Sequence, residues 1–125
     1  MNLNQVTIPV SDIEKSIDFY KKLGLKLIVN AFPTYARFEC PEGDSTFSIH
    51  QVSNSQKEGG IAVYFEVKNL DSHVQQLIDK GIEFDELPND KTWLWRESRL
   101  KDPDNNLVIL YFAGNNRKYP PWRID

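Results

Sequence analysis

The chain has 125 residues, is 40% hydrophobic and 26% charged, and carries a formal net charge of -3. That length suits one domain spanning residues 1–125, and a core of this size needs neither a disulfide nor a metal to hold it. The acidic balance argues against nucleic acid, whose phosphates require a basic surface, and no apolar run approaches the roughly 20 residues of a membrane helix.

One cysteine, Cys40, excludes an internal disulfide and points to a reducing compartment. It ends a predicted strand beside Pro41, with no histidine nearby to activate it, and reads as a small, partly buried apolar side chain. The opening Met1-Asn2-Leu3-Asn4-Gln5 lacks the basic start and apolar stretch of a signal peptide. A cytoplasmic protein is expected, with no nucleic-acid and no membrane partner.

The first predicted element is a strand. Val6, Ile8 and Val10 alternate with Gln5, Thr7 and Pro9, the period of two that marks one face on a core. The spacing then becomes helical, with Ile13, Ile17 and Tyr20 at i, i+4 and i+7. Ser11 and Asp12 offer N-cap side chains, and Gly24 stands where a left-handed residue ends a helix. A strand at Lys26–Asn30 follows, then a strand from Ala36, a Pro-led turn at Pro41-Glu42-Gly43, and a last strand at Thr46–Val52. Module one therefore covers about residues 3–52 and reads β-α-β-β-β.

The polar stretch 53–60 has the composition of a linker. Beyond it the pattern returns. Sliding the chain by 57 residues lays Val6–Leu27 on Val63–Phe84 without a gap, pairing Val6 with Val63, Ile8 with Phe65, Ile17 with Val74 and Gly24 with Gly81. Identities are few, but the strand period and the helix period coincide in both copies. Asn69 and Asp71 supply the second helix start, Glu83–Leu87 a strand, Ser98-Arg99-Leu100-Lys101 another, and Leu107–Phe112 the last. Module two covers about residues 61–113, and a tail runs from 114 to 125. The fold class is α+β: two tandem β-α-β-β-β modules whose mixed sheets form a cup, one helix lying on the far face of each.

These runs resemble a known superfamily. Val10-Ser11-Asp12-Ile13-Glu14-Lys15-Ser16-Ile17-Asp18-Phe19-Tyr20, ending at Leu23-Gly24, is similar to the opening V-x-D-hydrophobic-x-x-S-hydrophobic-x-F-Y stretch of the vicinal oxygen chelate proteins. That superfamily comprises glyoxalases, bleomycin-resistance proteins and extradiol dioxygenases. Lys101-Asp102-Pro103-Asp104-Asn105-Asn106 resembles its "DPDGN" hairpin, with Asn105 in the place of glycine. The resemblance covers residues ~3 to 113 and implies a homodimer.

In metal-dependent relatives, the resemblance implies, each module gives two ligands, usually His and Glu, from its first and last strands. The matching positions here are Gln5, Ser48, Ala62 and Ile109. Alanine and isoleucine cannot coordinate, and a neutral amide and hydroxyl are weak donors. No metal and no other cofactor are expected. The resemblance then points to a bleomycin-resistance-like protein binding a small apolar or aromatic molecule. The alternative is a lyase, isomerase or dioxygenase-type enzyme that uses displaced metal ligands or metal-free acid/base catalysis.

Strand parity nominates the groups that meet such a molecule. If Gln5 faces the ligand, so do Thr7, Ser48, His50, Ala62, Tyr64, Glu66, Ile109 and Tyr111, with Tyr35, Arg37, Trp95, Glu97 and Arg99 from the middle strands. Ligand contacts are assigned to Tyr35, Arg37, His50, Tyr64, Trp95, Arg99 and Tyr111. Arg37 and Arg99 are repeat-related and suited to a carboxylate or phosphate, although pairing with Glu39 or Glu97 is their plainer use. No catalytic residue is assigned; His50, Glu66 and Glu97 are the candidates. His73 is expected to be solvated, Trp93 and Trp95 to share a strand face, and Trp122 to pack on the domain or on a second subunit.

Overall fold

A computed structural model of the chain describes residues 3–53 and 61–124. The linker expected at 53–60 falls, beyond Ser53, outside the described residues. Two compact units emerge. One comprises Met1–Ile61 with Asp102–Asn106, and the other Ala62–Lys101 with Leu107–Asp125. Each holds one four-stranded sheet and one helix, the β-α-β-β-β order that the repeat predicts.

In the first unit, β1 (Gln5–Val10), β2 (Lys26–Ala31), β3 (Tyr35–Glu39) and β4 (Thr46–Gln51) form a mixed sheet of order β1-β4-β3-β2. β1 pairs with β4 in parallel, and the other pairings are antiparallel. Helix α1 (Ile13–Leu23) covers one face. Asp12 caps it by accepting from the Lys15 amide at 3.1 Å, and the Gln51 side chain accepts from the Ile13 amide at 2.9 Å. Two of the helix's four orphan donors are thereby satisfied. Gly24 ends the helix at φ 118°, a conformation that side chains with a Cβ resist. Ile8, Val10, Ile13, Tyr20, Ala36, Phe38, Phe47 and Ile49 make the core, each worth roughly 1.5–3 kcal/mol of burial for the larger side chains.

The hairpin turn Asp102–Asn106 belongs to this same unit. Buried Tyr20 donates its hydroxyl to Asp102 Oδ2 at 2.7 Å, and Asn106 Nδ2 donates to the same oxygen at 2.9 Å. Asp102 Oδ1 accepts from the amides of Asp104 and Asn106. Asp104 accepts from both the amide and the hydroxyl of Ser11. Asn105, at φ 64°, takes the left-handed turn that glycine usually fills. Both sequence motifs that carried the family resemblance therefore meet in one buried network around Tyr20.

The second unit has β5 (Ala62–Glu66), β6 (Glu86–Asp90), β7 (Arg96–Lys101) and β8 (Leu107–Phe112) in the order β5-β8-β7-β6. Helix α2 (Leu70–Asp79) buries Leu70, Val74 and Leu77. Asn69 precedes it but makes no side-chain capping bond, contrary to expectation. β6 starts at Glu86 rather than Glu83. Ile82 turns into the core first, and the ladder opens only at the Asp85 amide, which donates to the Arg99 carbonyl at 2.9 Å. Pro88 sits inside β6 because it is an edge strand with a bulge between Glu86 and Asn89, where a missing N–H is tolerated. A short 3-10 turn at Gly114–Arg117 follows β8.

Candidate functional site

The ladders decide which side chains share a face. On the helix-free face of the first sheet, β1 presents Gln5, Thr7 and Pro9. Register sets Gln5 beside Thr46, Thr7 beside Ser48 and Pro9 beside His50. β3 sets Tyr35 beside His50, Arg37 beside Ser48 and Glu39 beside Thr46. The strand parity read from the sequence therefore holds for Gln5, Thr7, Tyr35, Arg37, Ser48 and His50.

These residues form a hydrogen-bonded patch. Thr46 donates to Gln5 Oε1 at 2.7 Å, and the Thr7 and Ser48 hydroxyls lie 3.1 Å apart. Arg37 Nε donates to the Tyr35 hydroxyl at 2.8 Å, and its guanidinium lies 5.5 Å from the Tyr35 ring centre. Burial alone raises the Tyr35 pKa. Hydrogen bonds from Ser48 and Arg37, the Arg37 charge and a bond from Gln5 outweigh that and hold the phenol below its ordinary value. Ser48 is fully buried, and His50 is exposed at the end of the patch.

The helix-free face of the second sheet has different chemistry. Register aligns Ala62 with Leu107, Tyr64 with Ile109 and Glu66 with Tyr111. Glu97 lies beside Tyr111, and Arg99 beside Ile109. The Trp95 and Tyr111 rings stack at 4.7 Å with planes 20° apart, and Tyr64 stands edge-on to both at 6.1 and 5.6 Å. Ile109, Tyr111 and Ala113 are buried together, with Trp95 and Leu107 against them. Burial raises the Tyr111 hydroxyl's pKa, and the nearby Glu66 charge adds to the effect.

Next to these rings, Glu97 is 1% exposed. It accepts from Trp93 Nε1 at 2.6 Å and from Arg99 at 3.4 Å. Arg99 also pairs with Glu86 at 3.6 Å. The Trp93 contact was not foreseen. Its signal was present in the sequence, since a tryptophan N–H needs an acceptor and a carboxylate follows four residues later. Trp93 does not share a strand face with Trp95. It lies in the turn before β7, where Leu94 at φ 68° breaks the alternation. Glu66 accepts from the amides of Ala113 and Gly114 at 2.8 and 2.9 Å, which fixes the start of the 3-10 turn.

One other expected placement differs. His73 is half-buried rather than solvated, and burial, then the Lys80 charge, lowers its pKa. Trp122 is 57% exposed. An open hollow of about 350 Å³ beside the start of α1 includes Phe32, Pro33, Asp12 and Gln51 but none of the residues assigned to ligand contact. Asp12 and Gln51 are engaged there in capping the helix. No helix among the described residues is long and apolar enough to cross a membrane.

Two β-α-β-β-β units, each with a parallel outer pair and one helix, define a repeat-built α+β protein of the glyoxalase fold. The Glyoxalase/Bleomycin resistance protein/Dioxygenase superfamily model matches residues 2–110, and the chain belongs to that superfamily. It is 30% identical over 137 aligned positions to the trivalent organoarsenical cleaving enzyme of Bacillus sp. (strain MD1), covering 97% of this chain and 81% of that protein. It is 29% identical over 126 positions to YraH of Bacillus subtilis (strain 168), covering 89% and 98%. A glyoxalase/bleomycin resistance protein/dioxygenase from Nocardioides shares the fold at TM-score 0.79 and 20% identity, over 100% of this chain and 90% of that one.

The residues at the superfamily's metal-ligand positions do not suit a divalent ion. Ala62 and Ile109 carry no donor atom. Gln5 Oε1 already accepts from Thr46, and the Ser48 hydroxyl is bonded to Thr7. A catalytic divalent ion is ordinarily held by three imidazole, thiolate or carboxylate ligands. Among the described residues, no three His, Cys, Asp or Glu side chains gather into such a group.

Proposed function

We propose that the chain binds a small aromatic organic molecule without a metal ion. The supporting observation is the ring cluster of Trp95, Tyr111 and Tyr64 on a sheet face where the metal-ligand positions are Ala62 and Ile109. Tyr64 is 48% exposed, so its ring surface is accessible to a planar ligand. Arg99 and Glu97 provide polar contacts beside it. The sheet of the first unit carries polar groups of its own, Tyr35, Arg37 and His50. The protein acts as a homodimer, which light scattering behind a sizing column would test.

The test is quenching of tryptophan fluorescence by a neutral aromatic probe, 2-naphthol, with and without a chelator. Binding that ignores the chelator and weakens at least tenfold in Trp95→Ala, but not in Trp122→Phe, supports the proposal. Elemental analysis gives a second check. About one ion per chain, retained through purification, would overturn the metal-free reading.

The name of the Bacillus sp. relative raises a different activity. Trivalent arsenic is a soft centre that prefers thiolate ligands. This chain has one cysteine, Cys40, and burial pushes its thiol pKa up, away from the reactive form. Arsenical cleavage is therefore not part of the proposal. A second reading is metal-free acid/base catalysis, in which His50, Glu66 and Glu97 were the sequence candidates. The observation that favours it is the phenol of Tyr35, bonded to Arg37 and held below its ordinary pKa. Turnover of carbonyl compounds that is lost in Tyr35→Phe while binding persists would move this reading to first place.

A further inference from the structure

Arg37 and Arg99 occupy the same place in the two repeats, within the third strand and opposite Ser48 and Ile109 of the last strand of their sheets. Their charge environments differ. Arg99 has Glu97 at 3.4 Å and Glu86 at 3.6 Å. At the repeat offset, the position of Glu97 is taken in the first unit by Tyr35. Arg37 therefore meets a phenol where Arg99 meets a carboxylate. Nearby Glu39 is paired with Lys26 at 3.3 Å. Among the described residues, no carboxylate lies within 4.0 Å of the Arg37 guanidinium.

A half-buried guanidinium without a counter-ion loses hydration and regains little of it from the protein. Its Nε donates to Tyr35, which leaves both terminal nitrogens as a planar pair of donors. We infer that Arg37 is the docking point for the carboxylate of a small organic ligand, and that Arg99, already neutralised, is not. Two parallel N–H donors match the two oxygens of a carboxylate, and one positive charge balances one negative charge. A phosphate carries nearly twice that charge and more acceptor oxygens than this patch has cationic donors to meet. The other ionisable neighbour is exposed His50, whose strand position is beside Tyr35. The inference deepens the binding proposal by naming organic acids as a ligand class for the first unit, and it rests on that reading only for the ligand's being a small organic molecule.

The test uses the full chain and observes the Arg37 Nε–H resonance during titration with cyclohexanecarboxylate, which has no aromatic ring. Cyclohexanecarboxamide and inorganic phosphate are titrated in parallel. The expected result is a saturating shift with the carboxylate, at least tenfold weaker binding of the amide and of phosphate, and at least tenfold weaker carboxylate binding by Arg37→Gln, followed through backbone amides. Arg37→Lys keeps the charge without the planar fork and is expected to fall between the two, and Lys26→Gln to bind as the parent does. Equal binding of acid and amide, tighter binding of phosphate, or full binding by a folded Arg37→Gln would each overturn the inference. If the carboxylate binds but 2-naphthol does not, the aromatic reading fails and the carboxylate site stands. If 2-naphthol binds and the carboxylate does not, the carboxylate site alone fails.

Discussion

Replacing Tyr20 by Phe tests the network that joins both sequence motifs. The ring is completely buried, and it packs against Phe47 at 4.6 Å, Phe38 at 6.0 Å and Phe19 at 5.0 Å. Phenylalanine keeps those contacts, so the cavity left behind is small. What is lost is one 2.7 Å hydrogen bond to the Asp102 carboxylate, which retains Asn106 Nδ2 on the same oxygen. A hydrogen bond to a charged group contributes ~1.5–3 kcal/mol, and the surviving partner places the expected loss near ~2 kcal/mol. With a urea slope of ~1.5 kcal/mol per molar, the unfolding midpoint falls by ~1.3 M. The same variant has a pH signature. Burial, then the Asp102 charge, pushes the Tyr20 hydroxyl far above its ordinary pKa. Its contribution is complete below the unfolded value near ~10 and is lost as pH rises beyond it, because the unfolded phenol ionises while the folded one does not. Urea melts at neutral pH and above pH ~10 should show the parent losing stability on the alkaline side more steeply than Tyr20→Phe. A midpoint shift under ~0.3 M with parallel alkaline limbs would refute the reasoning.

Further outcomes follow from single residues. Leu94 holds φ at 68° in an exposed turn, so Leu94→Gly removes ~1–2 kcal/mol of strain against ~0.5–1 kcal/mol of added chain entropy, and a melting curve should move up by a few degrees. His73 is held neutral by burial and by Lys80, which gives stability above the unfolded pKa of ~6.5 that is lost as pH falls through the depressed folded value. An NMR titration should put its midpoint below ~6.5, and His73→Gln should flatten the acid limb of a stability profile; a midpoint at or above 6.5 would contradict the placement. Glu66→Gln weakens the acceptor for the Ala113 and Gly114 amides, and hydrogen exchange there should accelerate while β5 remains protected.

The fold was legible because two periods recur together at one offset. Val6 and Val63, Ile17 and Val74, and Gly24 and Gly81 do occupy equivalent places in the two units. The boundary that slipped, β6, did so where the ungapped offset ran past the helix. Ile82 is an apolar residue that serves the core from a loop, so hydrophobicity there did not signify a strand. Face assignments held inside the strands, where parity needs no long-range knowledge, and failed for Trp93, which lies in the turn before β7. Pairings within a face were not legible. Nothing local tells that Tyr35 bonds Arg37 and reaches Ser48 and Gln5, because those partners come from three different strands. Glu66 likewise meets its amide partners 47 and 48 residues away.

The comparison of the two repeats goes further than either repeat alone. Equivalent backbone positions hold Tyr35 and Glu97, Arg37 and Arg99, Ser48 and Ile109, and Gln5 and Ala62. One set is polar and uncharged around a cation, and the other is apolar around an ion pair. None of the four ligand positions carries a charge, and the neutral side chains of Gln5 and Ser48 are weak donors to a divalent ion. They serve as hydrogen-bond partners for Tyr35, and Tyr35 for Arg37. The first unit thus surrounds a cation with neutral hydrogen-bonding groups, and the second sets its aromatic rings beside a neutralised ion pair.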